Sequence, residues 1–482
     1  SGQAPRANLE QIVLEADDML HSADELRHAL EQLCQRHLAL RLVVDCSDAV
    51  PVWRATKDFT IDFKVLDWSC EPSNQLDLWL EHDRSQGFDL QVRCWRAMLA
   101  QRGDLPPVLV VTLHHAMTDL PSMANLLEEL GDLLSGRSLE ALPANALSAY
   151  HAAIQPGDAA APFFAAQFAG FERGDLLVNL TAPSGPMRSS AGQLDSAVTN
   201  RLRQRANAAG AGFFAALQAG WALTLARWTG RPEACFGLTL SGRRQVPGHE
   251  HTQGALIATL PQRLDISGCS DLDRLLLLTQ TATDDLRPHL GVSFAQIRHW
   301  ADVSPAVSLF DTVLVYSRAR LGDDLALRGK GWAHRKVRLL EEGESPVTLA
   351  IYGTEALELE LEHDSQRLPK ESAERLLDHF IRVLTAMSEA PLGADLAGLD
   401  MLSVSERAEI LALAHPDAVS AEALPCIATR FEQAVGQQPE AMAMLGDGGQ
   451  FTYAMANMRA DILARRLRNK GIGPGDVVAI NL

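Results

Sequence analysis

Paired cysteines, an excess of cations and long apolar runs are all missing from this chain of 482 residues. Its seven cysteines lie scattered at 34, 46, 70, 94, 235, 269 and 426, an odd number with no CxxC spacing. That pattern offers neither a disulfide framework nor a thiolate metal site, and it suits buried or idle thiols in a reducing compartment. Lys and Arg number 43 against 61 Asp and Glu, a net charge of −18. A chain so short of cations is not expected to bind nucleic acid or an anionic membrane surface. No stretch of about 18 uncharged apolar residues occurs, so no segment is expected to span a bilayer. The opening SGQAPRANLEQIV has no basic region followed by an apolar one, so a secretory signal is unsupported and a cytoplasmic location is expected.

Local catalytic signatures are scarce as well. There is no GxSxG elbow, no GxxxxGK[ST] loop, no strand-linked GxGxxG and no HExxH. Phosphate binding, dinucleotide binding and zinc chemistry therefore have no local support, and no metal ligands are assigned.

What is present is an ordinary globular composition, 47% apolar and 22% charged. The length suits about three compact units at roughly 100–200 residues each. Short apolar runs alternate with amphipathic stretches, an α/β pattern. LEQIVLE (9–15), RLVVD (41–45) and VLVVTLHH (108–115) read as strands. Residues 22–37 read as a Ser-capped helix, 76–90 as a helix ending near Gly87, and 121–134 as a helix opened by a proline. An Ala-, Pro- and Gly-rich stretch, 137–190, suggests a helix and a connector. A second mixed series follows, with helices at 212–228, 271–286 and 371–389 and strands at 235–240, 255–264, 309–317, 347–353 and 357–364. From about 406 the chain shows helix-like ALPCIATRFEQAV, a turn at GDGG, a helix ending in RRLRNKG, and an apolar strand after GIGPG. About 75 residues with an unfinished βαβ pattern enclose little core, so the chain is expected to end inside a larger domain.

The most informative residues are His114, His115 and Asp119 in LHHAMTDLPSM, at the end of a buried strand and before a helix. A histidine there can hold or accept a proton near neutral pH, as attack by an amine on an activated carbonyl requires. Adjacent strand residues face opposite ways, so only one of the two histidines can enter a given cleft unless the strand breaks. Taken alone, such a pattern is more often structural than catalytic.

HHAMTD resembles the HHxxxDG signature of condensation domains from non-ribosomal peptide synthetases, and further segments agree in order. QRHLALR (35–41) resembles that family's RHxxLRT element, and DRSQGFDL (83–90) the segment before its active-site strand. Residues 236–264 resemble its FGxTxSGR…G…NTLPxR stretch, 292–317 its LFDTLLV region, and LDMLSVSER (399–407) its closing linker. The final FTYAMANMRADILARRLRNKGIGPGDVVAINL is similar to the opening of an adenylation domain. No nucleotide-binding elements of that family and no carrier-type LGGxS site occur.

The resemblance implies two chloramphenicol-acetyltransferase-like lobes in a V with a central tunnel, plus a fragment of an adenylation domain. It places the amino-terminal lobe at 1–185, the carboxy-terminal lobe at 186–405, and linker plus fragment at 406–482. The implied activity is acyl transfer: a donor carrier brings a thioester, an acceptor carrier brings an amine, and an amide forms. Both arrive on 4'-phosphopantetheine arms of partner carriers, and an adjacent adenylation domain belongs to the same megasynthase. His115 corresponds to the second motif histidine, a general base or an orienter of the amine, with His114 beside it. Asp119 corresponds to an aspartate that is structural through an Arg salt bridge, and Arg41 is its expected partner by motif position. Leu120, Ser122, Gly242, Arg243 and Gly254 are expected near the tunnel, Arg243 either guiding an arm or bridging the lobes.

Departures from the family pattern keep alternatives open. Leu120 stands where the family has Gly, Leu42 replaces the Thr of RHxxLRT, and Ala258 replaces the Asn of NTLP. The family's amino-terminal SxxQxRxW-like element is missing, so either the chain begins late or the domain is atypical. A domain that modifies the tethered intermediate, for example by dehydration, and a degenerate scaffold that only docks carriers are the alternatives.

Overall fold

The apolar runs become strands and the amphipathic stretches become helices in the computed structural model. It describes residues 8–479 apart from Asp17, His21, 48–50, Asp58, Ala144, 172–175, 177–183, Arg244, 305–307, Glu342, Glu344, 415–425, 447–448 and Pro474. The chain divides into two units, Ser1–Leu402 and Ser403–Leu482.

In the larger unit the strands are β1 (Leu9–Glu15), β2 (Leu42–Asp45), β3 (Val52–Ala55), β4 (Phe63–Asp67), β5 (Trp95–Arg102), β6 (Leu105–His114), β7 (Met187–Leu194), β8 (Glu233–Ser241), β9 (Ile257–Asp265), β10 (Thr312–Ser317), β11 (Lys336–Glu341), β12 (Val347–Tyr352) and β13 (Leu357–Asp364). A five-stranded sheet has the order β11-β1-β6-β5-β4, and a six-stranded sheet the order β7-β13-β12-β10-β8-β9. In the first, β1 lies antiparallel to both β6 and β11. In the second, β10 lies parallel to β8 and β12.

Both faces of the first sheet are covered. Ile12, Leu14, Leu109 and Val111 join one core with the helices Ala23–Arg36 and Leu120–Leu134. Val13, Met98, Val108 and Val110 join another with Leu76 and Leu80 of the helix Gln75–Gln86. Two buried faces require apolar residues at successive positions, which is why 108–111 shows no alternation. The helices start and stop where the caps predict. The Ser22 side chain accepts from the Glu25 N–H at 3.2 Å, and Gly87 ends its helix at φ 62°.

The second sheet carries the helix Phe213–Thr229, apolar on nearly every side because it is enclosed. A Cβ at Gly220 would lie 2.5 Å from Leu384 Cδ2, so glycine there lets the helix Lys370–Glu389 approach closely. Among the described residues no single helix is long and apolar enough to cross a membrane.

One crossing departs from the expected division at 185/186. The segment from Leu321 to Glu341 leaves the second sheet and joins the first, with Leu321, Leu325 and Trp332 in the first sheet's core and β11 on its edge. The strands that pattern reading does not find are instructive. β4, β7 and β11 are edge strands, and edges are kept polar against unwanted pairing, which erases the apolar signal. β5 is interrupted by Arg96, buried because its guanidinium donates to Asp83 Oδ1 at 2.5 Å and to the Gly87 carbonyl at 2.7 Å.

The smaller unit contains helices Val404–Ala414, Ile427–Gln437 and Tyr453–Asn469 and a two-stranded sheet of Met442–Gly446 with Gly449–Thr452. Thr452 caps the last helix. Half of the expected GDGG turn, 447–448, lies outside the described residues. The strand expected after GIGPG is absent over 475–479, and 480–482 lie outside the described residues.

Trp332 is 1% exposed and anchors the returning segment. Trp332→Ala should cost about 3–5 kcal/mol, read as a lowered urea midpoint; an unchanged midpoint would show that this segment does not hold the first sheet.

Candidate active site

Strand β6 ends at His114, one 3₁₀ turn covers His115–Met117, and a helix begins at Leu120 with Asp119 as its cap. The break separates the two histidines. His114 Nδ1 accepts from the Ala116 N–H at 3.2 Å and so closes the turn. The His115 N–H donates to the Asn8 carbonyl at 2.8 Å, binding the motif to the start of β1. Its ring lines a cavity of about 950 Å³ between the two sheets.

His115 Nδ1 pairs with Glu10 Oε1. Glu10 sits on β1, opposite Leu113 of β6 on one side and opposite Glu341 of β11 on the other. The Glu10 side chain is 4% exposed and that of His115 44%. With Nδ1 against Glu10, the ring nitrogen left to the cavity is Nε2. Burial works against an imidazolium, but contact with and charge from Glu10, helped by Glu341 and Asp119, outweigh it and raise His115 to about 9. Burial also pushes the Glu10 carboxyl up, partly offset by His115. Glu341 is raised to about 7 by burial and by the charges of Glu10 and Glu362.

Asp119 is fully buried and anchors a network that reaches the loop between β8 and β9. Arg243 donates from Nη1 to Oδ2 at 2.6 Å and from Nη2 to Oδ1 at 2.8 Å. The Leu256 N–H donates to Oδ2 at 2.8 Å and the Ser122 N–H to Oδ1 at 3.0 Å. Ser122 Oγ donates to the Gly254 carbonyl at 2.8 Å and accepts from Arg243 Nη2 at 2.7 Å. Tyr150 Oη donates to the Leu256 carbonyl at 3.0 Å. A Cβ at Gly242 would lie 1.9 Å from that Tyr150 oxygen, and one at Gly254 2.7 Å from Leu147 Cδ1. Both glycines are set by close packing.

Arg41, the expected partner of Asp119, is not in this network. It ends the 3₁₀ turn Leu38–Arg41 and turns back to donate from Nε to the Cys34 carbonyl at 2.8 Å, satisfying the end of the preceding helix. Arg243 takes its place, since the loop after β8 brings a guanidinium onto Asp119 from the other sheet. Of the residues expected near a tunnel, Leu120 lines the cavity, whereas Ser122, Gly242, Arg243 and Gly254 do not. Arg243 bridges the two sheets rather than facing the cavity. Sequence reasoning missed Glu10 and Glu341. The signal for Glu10 was a carboxylate inside a strand buried over most of its length; Glu341 gave none, because its strand reads as charged surface.

Among the described residues no group of three or more His, Cys, Asp and Glu is arranged to hold a metal. The arrangement provides instead a proton-holding imidazole on a cavity wall, clamped from behind. Arg243→Gln should leave Asp119 buried and uncompensated and cost about 3–5 kcal/mol, with Arg41→Ala much milder; thermal unfolding of the two variants checks the order.

Residues 2–411 match the family model described as Condensation domain, and residues 431–482 that described as AMP-binding enzyme. Chondramide synthase of Chondromyces crocatus is 28% identical over 95% of this chain, and malpinin synthetase of Mortierella alpina 26% identical over 94%. The chain spans only 13% and 6% of those two proteins. Among solved structures, the complex of the X-domain and OxyB from teicoplanin biosynthesis shares the fold with a TM-score of 0.68 at 20% identity, covering 83% of this chain and 93% of that one. The condensation domain from monacolin K polyketide synthase gives 0.66 at 16% identity, over 82% of this chain and 95% of that one. The chain belongs to the condensation-domain family, whose members in non-ribosomal peptide synthetases are acyltransferases that form peptide bonds.

Proposed function

We propose that this chain joins a carrier-bound acyl or peptidyl thioester to the amine of a carrier-bound aminoacyl acceptor, forming an amide and passing the chain to the acceptor. The observation that carries this reading is His115 on the wall of a cavity of about 950 Å³, with Nε2 turned to the open space. Such a cavity has room for the reacting ends of two arms together. The partners are a donor and an acceptor carrier, each presenting its substrate on a 4'-phosphopantetheine arm. An adenylation domain, whose opening is matched by residues 431–482, is the neighbour in the same assembly.

A thioester is already activated, so holding amine and carbonyl at attack distance supplies much of the acceleration, up to about 7–11 kcal/mol in the best cases. The residues add electrostatics. With its pKa raised to about 9, His115 is cationic at neutral pH and donates from Nε2 toward the carbonyl oxygen as that oxygen gains charge. Asp119 and Arg243 do not touch substrate in this reading. They fix the strand-to-helix turn on which His115 rides. Leu120 puts apolar bulk on the same wall where the family has Gly, which favours a compact or apolar group beside the reacting carbonyl.

Given an acyl-loaded donor carrier and a panel of aminoacyl-loaded acceptor carriers, the wild-type chain should raise the intact mass of one acceptor by the acyl group. His115→Ala should slow single-turnover transfer by about 10²–10³-fold with the fold retained. Equal rates would reject the role of His115, a product lighter by one water would indicate a modifying domain, and no mass change with any acceptor would indicate a docking scaffold.

A further inference from the structure

Two carboxylates face each other across strands at the site. Glu10 of β1 and Glu341 of β11 are register partners, and both line the cavity beside His115. Like charges directly opposite each other in a sheet destabilise it, so a fold that keeps them needs something to sit against them. Glu10 spends Oε1 on His115, while its Oε2 is buried and has no hydrogen-bond partner among the described residues. The Glu341 carboxylate makes no hydrogen bond or ion pair among the described residues, and the residue stands exposed on the cavity wall.

Resting on the amide-forming reading above, we propose that Glu10 and Glu341 form an ammonium-binding site for the acceptor's amino group, and that Glu341 takes its proton. An aminoacyl thioester arrives largely as an ammonium, which has no lone pair with which to attack. His115 is poorly suited to deprotonate it, because Glu10 keeps the imidazole charged. Glu341 is the group poised to change charge near neutrality.

The step balances without any further reactant. The ammonium gives one proton to the Glu341 carboxylate and binds against Glu10. The freed lone pair forms the new C–N bond at the thioester carbonyl, whose oxygen is held by the His115 Nε2–H. Collapse breaks the C–S bond, and the sulfur leaves with the electron pair and takes the second amine proton. Glu341 then returns its proton to water.

The surroundings set the pH window. Glu341 is faced by Glu10 on β1, His115 after β6, Tyr352 on β12, and Glu360 and Glu362 on β13, with Asp119 near the imidazole. Arg298, Arg320 and Arg338 line the same cavity, but Arg320 is drawn to Glu358 and Glu360 at 3.2 and 2.9 Å. The carboxyl raised to about 7 is protonated below that pH and able to accept above it. The imidazolium persists until about 9. Transfer from an ammonium acceptor therefore rises through about pH 7 and falls through about pH 9.

Two soluble acceptors separate this role from a structural one: glycyl-pantetheine thioester, an ammonium near neutrality, and aminooxyacetyl-pantetheine thioester, whose alkoxyamine is already neutral. An acyl-pantetheine thioester serves as donor. For Glu341→Gln we expect a loss of about 10²-fold or more with the glycyl acceptor, disappearance of the rise near pH 7, and less than a threefold change with the aminooxy acceptor. Glu341→Asp should restore part of the glycyl rate. Equal losses with both acceptors, or a glycyl profile in Glu341→Gln identical to wild type, would overturn the proposal while leaving the amide-forming reading standing. Wild-type chain that acylates neither acceptor would overturn both. Should Glu341→Gln fail to fold, Glu341→Asp decides: a loss confined to the glycyl acceptor supports the site, and equal losses with both acceptors overturn it.

Discussion

The ion pair of Asp119 with Arg243 joins the two sheets at the point where the motif turns from strand to helix. Both oxygens of Asp119 are engaged by the guanidinium, and each also receives a backbone N–H. Burying two charges is costly unless every polar atom is matched, so this pair defines geometry more than it adds stability. Its geometric product is the turn that carries His115. The imidazole is thus placed by a residue from the opposite sheet, and the cavity wall and the cavity's other side are parts of one fastening.

Around that turn the electrostatics are graded rather than uniform. Asp119 is neutralised by a guanidinium, Glu10 by direct contact with an imidazole, and Glu341 makes no direct ion pair among the described residues, meeting the charge of that imidazole only at a distance. Moving outward from the fastening toward the open space, each carboxylate has a weaker permanent counterion than the last. Burial makes such differences count at Asp119 and Glu10, where water that would level them has been displaced. The gradient ends at the group most free to exchange a proton.

How much of this was legible from the sequence follows the distance over which each signal acts. The strand, turn and helix around His115 are local, and an apolar run, a proline and an apolar stripe announced them within some thirty residues. Arg243 lies 124 residues from Asp119, and no periodicity or spacing links them; motif position alone pointed to Arg41, which caps its own neighbouring helix instead. Glu10 was half visible, as a charge set inside LEQIVLE rather than at its end. Glu341 was hidden because β11 is an edge strand, and an edge strand is written in the same alphabet as a solvated loop.

The placement of β11 has a consequence for how the molecule is made. The outer edge of β1 pairs with residues 336–341, which leave the ribosome more than three hundred residues after it. At about 5–20 residues per second, that edge waits some tens of seconds for its partner. Throughout that interval a nascent chain presents an open row of amides and carbonyls beside two carboxylate-bearing positions. Negative charge on the waiting strand, the same charge that serves the finished cavity, discourages neighbouring nascent chains from pairing with it first.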